Sequence, residues 1–117
     1  MADRPAYSED EIQSRRRVVE LAREILAGRL SYLEGAVQIY PLCHRLGGVP
    51  DSDPDVEAFC LIYSETDHLP LKAQRHLWSQ AALDRLAPDI AGVETWAEGV
   101  AAEACRNFIS RFGSHDC

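Results

Sequence analysis

The sequence predicts an all-α fold, a compact bundle of four to five helices with the longest helix at the C-terminus. Apolar residues recur at three- and four-residue spacing along most of the chain. Helix-capping patterns precede several of these stretches, and glycine or proline separates them. With 117 residues, 46% of them hydrophobic, the chain suits a single domain. We therefore expect one helical domain over residues 1–117, with a flexible arm at 1–7 and a tail at 113–117.

The longest helix is expected over residues 88–112. Pro88 is a start signal and Gly113 a stop signal, and acidic residues early and arginines late complement the helix dipole. We expect Trp96 and Phe108 to be largely buried. They belong to an apolar stripe at helical spacing, which comprises Ile90, Val93, Trp96, Val100, Ala104, Phe108 and Phe112.

Two capping boxes predict the first two helices. Ser8 with Glu11 begins a helix that should run over residues 9–27, and Ser31 with Glu34 begins a second. The second helix should turn Leu33, Val37 and Tyr40 inward. Pro41 removes a backbone donor, so either one kinked helix or two separate helices should follow, with the kinked helix favoured. Gly47-Gly48 should end it.

The third helix should begin at Asp53-Pro54, an N-cap followed by proline, and reach about Tyr63. It should bury Val56, Phe59, Cys60 and Tyr63. Residues 59–63 taken alone also fit a buried strand, but the cap in front favours a helix. Residues 64–71 should form a loop or a tight turn. Short helices should follow over residues 72–78 and, capped by Ser79, up to residue 86.

The net charge of −7 disfavours nonspecific binding to nucleic acid or anionic membranes and suits a basic partner. Residues 15–17 are three arginines, but neighbouring acidic residues nearly balance them. No apolar run is long enough to cross a bilayer, and the charged N-terminus does not resemble a secretory signal, so we expect a cytoplasmic protein.

The four cysteines form no C-x-x-C pair and have no zinc-finger spacing to histidine, so we expect reduced, structural thiols and no metal site. Cys60 and Cys105 should react with thiol reagents only after unfolding. We expect no cofactor, since no glycine-rich phosphate loop is present.

Residues 64–71 concentrate two carboxylates, two hydroxyls and an imidazole. They can cap the next helix, with Ser64, Thr66 or Asp67 as the cap, or form a partner-binding surface, or build an acid–base or metal site. Capping is the favoured interpretation. The candidate binding residues in and around this segment are Glu34, Glu65, Asp67, His68, Arg75 and Trp78.

The order Glu34-Gly35-Ala36, then Tyr63-Ser64-Glu65-Thr66-Asp67-His68-Leu69-Pro70-Leu71, then Arg75 and Trp78, resembles a family of small uncharacterised bacterial proteins, a domain of unknown function. The resemblance covers most of the chain after Val19. The Ser-Glu-Thr-Asp-His-Leu-Pro core is its most specific part. It implies a bacterial, cytoplasmic, helical domain and transfers no activity or catalytic residue.

These observations favour a noncatalytic protein-interaction domain over an enzyme. An inhibitor or immunity-type protein against a bacterial toxin is one concrete form of it. The partner would be another protein, and a homodimer is compatible with the sequence. The alternative is a small metal-dependent or acid–base hydrolase centred on residues 64–71, with Glu65, Asp67 and His68 at its centre.

Overall fold

A computed structural model describes residues 7–66 and 78–113, and they form four helices. The order is α1 (Glu9–Leu26), α2 (Tyr32–Cys43), α3 (Pro54–Thr66) and α4 (Gln80–Gly113). The predicted all-α fold with its longest helix at the C-terminus is therefore confirmed. None of the helices within the described ranges is both long and apolar enough to cross a membrane.

Each helix N-terminus is capped by a residue that the sequence indicates. At α1 the predicted capping box is complete, since the Ser8 amide donates to Glu11 at 2.8 Å and the Glu11 amide donates to the Ser8 hydroxyl at 3.2 Å. Ser31, Asp53 and Ser79 likewise accept hydrogen bonds from backbone amides of the following turn. Local chemistry therefore determines where the helices begin.

The start of α4 differs from the prediction, because Pro88 lies inside the helix instead of opening it. The expected short helix after Ser79 and the long helix after Pro88 are one continuous helix of 34 residues, about 51 Å long. Proline removes one backbone hydrogen bond, to the carbonyl of Asp84. Both residues are exposed, so water can take over that bond, and the helix continues through Pro88.

The core lies between α1, α2, α3 and the second half of α4. Phe59 and Phe108 are fully buried and stack with their ring centroids 5.6 Å apart. The prediction that Trp96 is buried is wrong, since this side chain is 41% exposed and its neighbour Ala97 is fully buried instead. Ala97 and Ala101, both fully buried, place small side chains where α4 meets the other helices.

Helix α2 passes through Pro41 as a single helix, with helical residues on both sides, which is the favoured continuity, and the kink at Pro41 stays a prediction. It ends at Cys43, before Gly47-Gly48, because residues 44–48 form a turn in which both glycines have positive φ. The buried face also differs from the prediction. Ile39 is fully buried, whereas Val37 and Tyr40 are half-buried.

Three cysteines lie in the described ranges, and all three are free. Burial raises the pKa of both Cys43 and Cys105 to about 12, which leaves almost no reactive thiolate near neutral pH. Cys60 is half-buried, so it is less protected from solvent than predicted. The buried position of Cys105 agrees with the prediction.

Candidate functional site

The first turn of α2 docks against the middle of α4 through one carboxylate. Glu94 accepts hydrogen bonds from the amides of Tyr32 and Leu33, at 2.5 and 3.2 Å. The next amide in the turn, that of Glu34, donates to the Ser31 hydroxyl at 3.0 Å. A negative charge at a helix N-terminus also interacts favourably with the helix dipole. Glu94 therefore links the start of α2 to the middle of α4.

A groove of about 610 Å³ opens beside this contact, between the first turn of α2 and the first half of α4. Of its lining residues within the described ranges, three belong to the start of α2 and seven belong to α4. The described lining residues are Ser31, Leu33, Glu34, Gln80, Leu83, Asp84, Ala87, Ile90, Ala91 and Glu94. We call this surface the α2/α4 groove.

The α4 side of the groove follows helical spacing. Its seven lining positions recur every three or four residues from Gln80 to Glu94, about 21 Å along the helix. No residue between Gln80 and Trp96 is fully buried, and the first buried residue of α4 is Ala97. The first half of α4 therefore presents an apolar face that the other described helices do not cover completely.

Leu83 and Ile90 provide the largest apolar side chains on this face, and both are half-buried. Ile90 also packs against the buried core. Leu83 is not one of the side chains that pack against this core, so among the described residues it belongs mainly to the groove. Leu33, almost fully buried, forms the opposite wall. The groove therefore offers a site for apolar side chains of a ligand.

The charged residues that line the described part of the groove are all acidic. They are Glu34, Asp84 and Glu94, and no lysine or arginine is among the described lining residues. Glu34 and Glu94 are half-buried, whereas Asp84 is exposed and accepts a hydrogen bond from Gln80 at 2.8 Å. The groove is thus an apolar channel bordered by carboxylates.

The structure places one of the predicted binding residues in this groove, namely Glu34. Trp78 is 40% exposed and immediately precedes the Ser79 cap of α4. Glu65 is exposed in the last turn of α3 and does not line the groove. Asp67, His68 and Arg75 lie outside the described residues, and their predicted role stays a prediction.

The start of the polar segment differs from the prediction. Residues 64–66 are the last turn of α3, not a loop. The Ser64 hydroxyl donates to the Cys60 carbonyl at 3.0 Å, and the Thr66 hydroxyl donates to the Tyr63 carbonyl at 2.6 Å. Both hydroxyls therefore donate backward along their own helix. On the buried face of α3, Ile62 takes the place expected for Tyr63.

In residues 7–66 and 78–113, no group of three or more histidine, cysteine, aspartate or glutamate side chains is arranged to hold a metal ion. The proposed metal or acid–base centre rests on Asp67 and His68, which lie beyond these ranges. The hydrolase alternative therefore stays a prediction, and no described contact favours it.

A second polar cluster joins α3 to the end of α4, and the sequence pattern indicates only its Asp53 cap. Arg111 donates to Asp53 at 3.0 Å and to Asp55 at 2.8 Å, and Asn107 donates to Asp55 at 3.0 Å. Burial would raise the pKa of Asp53, but Arg111 and two backbone amides outweigh burial and lower it. These donors and acceptors satisfy one another, so the cluster is a structural joint between two helices.

The arginines at 15–17 are also engaged within the chain. Arg15 is buried and donates to the carbonyls of Leu46 and Gly47 at 2.7 and 2.8 Å. Its guanidinium lies over the ring of Tyr7, 3.7 Å from the centroid. Arg17 pairs with Glu20 on the same helix at 3.1 Å. Arg15 thus fastens the turn after α2 to α1.

Comparison with known proteins finds no match among protein-family models, curated proteins or solved structures. The resemblance drawn from residues 34–78 therefore stays a prediction.

Proposed function

We propose that this chain is a noncatalytic protein-interaction domain that binds a helical segment of another protein in the α2/α4 groove. The observation that carries the proposal is the incompletely covered apolar face on the first half of α4. Residues with helical spacing on one face of a long helix normally pack against another element. Here that element is supplied by the partner.

A helix is the ligand shape that suits this groove. The groove runs alongside α4 for about 21 Å, which corresponds to about four turns of a bound helix. Its volume of about 610 Å³ lies within the range of ordinary binding pockets and accommodates several apolar side chains. Helix-in-groove recognition uses such anchors at three- and four-residue spacing along the bound helix.

We further propose that the protein acts in the bacterial cytoplasm, and that an inhibitor or immunity-type role against a toxin is one form of this activity. A small helical domain with a net charge of −7 and an open groove is suited to occupying a basic surface of a toxin. A toxin gene beside the gene for this chain would support that form. Protection of cells that express that toxin would test it directly.

Selection from a displayed library of helical peptides, each about 15 residues long, tests the groove even though the partner is unidentified. The dissociation constants of the selected peptides are then measured with wild type, Leu83→Gln and Leu61→Gln. Leu83 lines the groove, whereas Leu61 is 55% exposed on α3 and does not. Both substitutions remove an apolar side chain from a helix and preserve helix propensity.

We expect Leu83→Gln to weaken binding of the selected peptides by about tenfold or more, since a lost apolar anchor contributes about 1.5–3 kcal/mol. Leu61→Gln should leave it unchanged. Equal dissociation constants for the two variants would contradict the proposal. Thermal melts of both variants are the folding control. A large loss of stability in Leu83→Gln alone would show that the chain packs against its own groove.

A further inference from the structure

We infer that the partner segment is a basic amphipathic helix, with an apolar stripe on the groove floor and lysine or arginine side chains on the acidic borders. This inference rests on the proposed function and specifies the chemistry of the ligand. It depends on the distribution of charge around the α2/α4 groove, which is a separate observation from the apolar face.

The acidic residues occupy both sides of the groove. Asp84 and Glu94 lie on α4, separated by ten residues and so by about 15 Å along the helix, and Glu34 lies on α2 opposite them. The carboxylate of Glu94 accepts from backbone amides, which satisfy its hydrogen bonding but carry no compensating full charge. None of the described lining residues is basic and the chain carries a net charge of −7, which gives the groove the negative potential that attracts cations.

This charge pattern decides between the possible occupants. A second copy of the chain packed groove to groove would bring its own carboxylates against these ones, and each chain carries a net charge of −7. Nucleic acid and anionic membranes are repelled for the same reason. A helix with leucines on one face and cations along the two edges satisfies both the apolar floor and the acidic borders.

Two designed peptides of about 15 residues test the inference. They share the same leucine spacing, and one carries lysine and the other glutamate at the flanking positions. A third peptide has the composition of the lysine peptide with its leucines scrambled. Fluorescence anisotropy with the full chain gives the dissociation constants at about 50 mM and about 300 mM salt, which differ strongly in screening length.

We expect the amphipathic lysine peptide to bind at least about tenfold more tightly than the glutamate peptide, because like charges across an interface are costly. Higher salt should weaken its binding severalfold. Asp84→Asn should weaken it about twofold to fivefold, as for an exposed ion pair. Asp89→Asn is the matched control, since Asp89 is exposed on α4 outside the groove, and it should have no effect.

Three results would overturn the inference. If both amphipathic peptides bind equally and both depend on Leu83, the proposed binding function stands and the basic character of the partner is wrong. If the scrambled lysine peptide binds as well as the amphipathic one, the attraction is nonspecific. If no designed peptide binds, or if the chain forms dimers that Leu83→Gln dissociates, a basic helix is not the occupant.

Discussion

Replacing Glu94 tests how α2 is attached to α4. Its two carboxylate oxygens accept from the amides of Tyr32 and Leu33, which lie more than 60 residues away in the chain. In Glu94→Ala these amides lose their acceptor, and the first turn of α2 keeps only the Ser31 side-chain cap.

The size of the effect follows from the two hydrogen bonds. A hydrogen bond to a charged acceptor contributes about 1.5–3 kcal/mol. Glu94 is half-buried, so water can reach the freed amides and recover part of that loss. We therefore expect Glu94→Ala to lower the free energy of unfolding by about 2–4 kcal/mol. Glu94→Gln keeps one acceptor oxygen and loses the charge, so it should cost about half as much.

Urea unfolding followed by circular dichroism measures this difference, provided that the slope with denaturant stays constant among the variants. Glu98→Ala is the matched control. Glu98 is exposed one turn further along α4, has the same helix propensity, and makes no hydrogen bond to α2 among the described contacts. It should change stability by less than about 0.5 kcal/mol. Equal losses for Glu94→Ala and Glu98→Ala would refute the proposed attachment of α2.

Further changes test the core, a turn and a half-buried carboxylate. Phe108→Ala should lower the free energy of unfolding by about 3–5 kcal/mol because its ring is fully buried, whereas Trp96→Ala, at a side chain 41% exposed, should cost less than about 1 kcal/mol in the same urea assay. Gly47→Ala should lower the melting temperature more than Gly48→Ala. Both glycines have positive φ, but only at Gly47 would an added Cβ meet another side chain, that of Glu11 in α1, at 2.7 Å. Equal losses for the two variants would contradict this contact. Burial alone would raise the pKa of Asp53. The Arg111 guanidinium and two backbone amides, which donate to this carboxylate, outweigh burial and lower its pKa below the ordinary value. The stabilisation that follows is present above the unfolded pKa of about 3.9 and is lost as the pH falls through the folded pKa. Asp53→Asn should therefore reduce the loss of stability between neutral and acidic pH, and an unchanged pH dependence would contradict this linkage.

Helix starts were predictable because their chemistry is local. The caps at Ser8, Ser31, Asp53 and Ser79 all bond to amides within three residues, so a short window of sequence contains both partners. The end of α3 was harder to predict. The Ser64 hydroxyl is equally able to cap the next helix or to bond backward, and only the backbone path decides between the two.

The groove is not predicted from the sequence, because the pattern around Pro88 is typical of a helix start. The helix break predicted at that residue would separate Leu83 from Ile90, whereas in the structure both belong to one apolar face at helical spacing. Proline at an exposed helix position is tolerated because water can bond the carbonyl that loses its amide partner. Glu34 is a predicted binding residue, but its groove partners Asp84 and Glu94 are not.

By itself, the sequence determined the helical class, the caps and a long C-terminal helix, since periodicity and capping depend on residues three or four positions apart. Tertiary structure alone decided the rotation of α4 that buries Ala97 and exposes Trp96. It also decided which distant carboxylate meets the start of α2. Both depend on contacts between helices remote in the chain, where the space available and the polar groups brought together are set by packing.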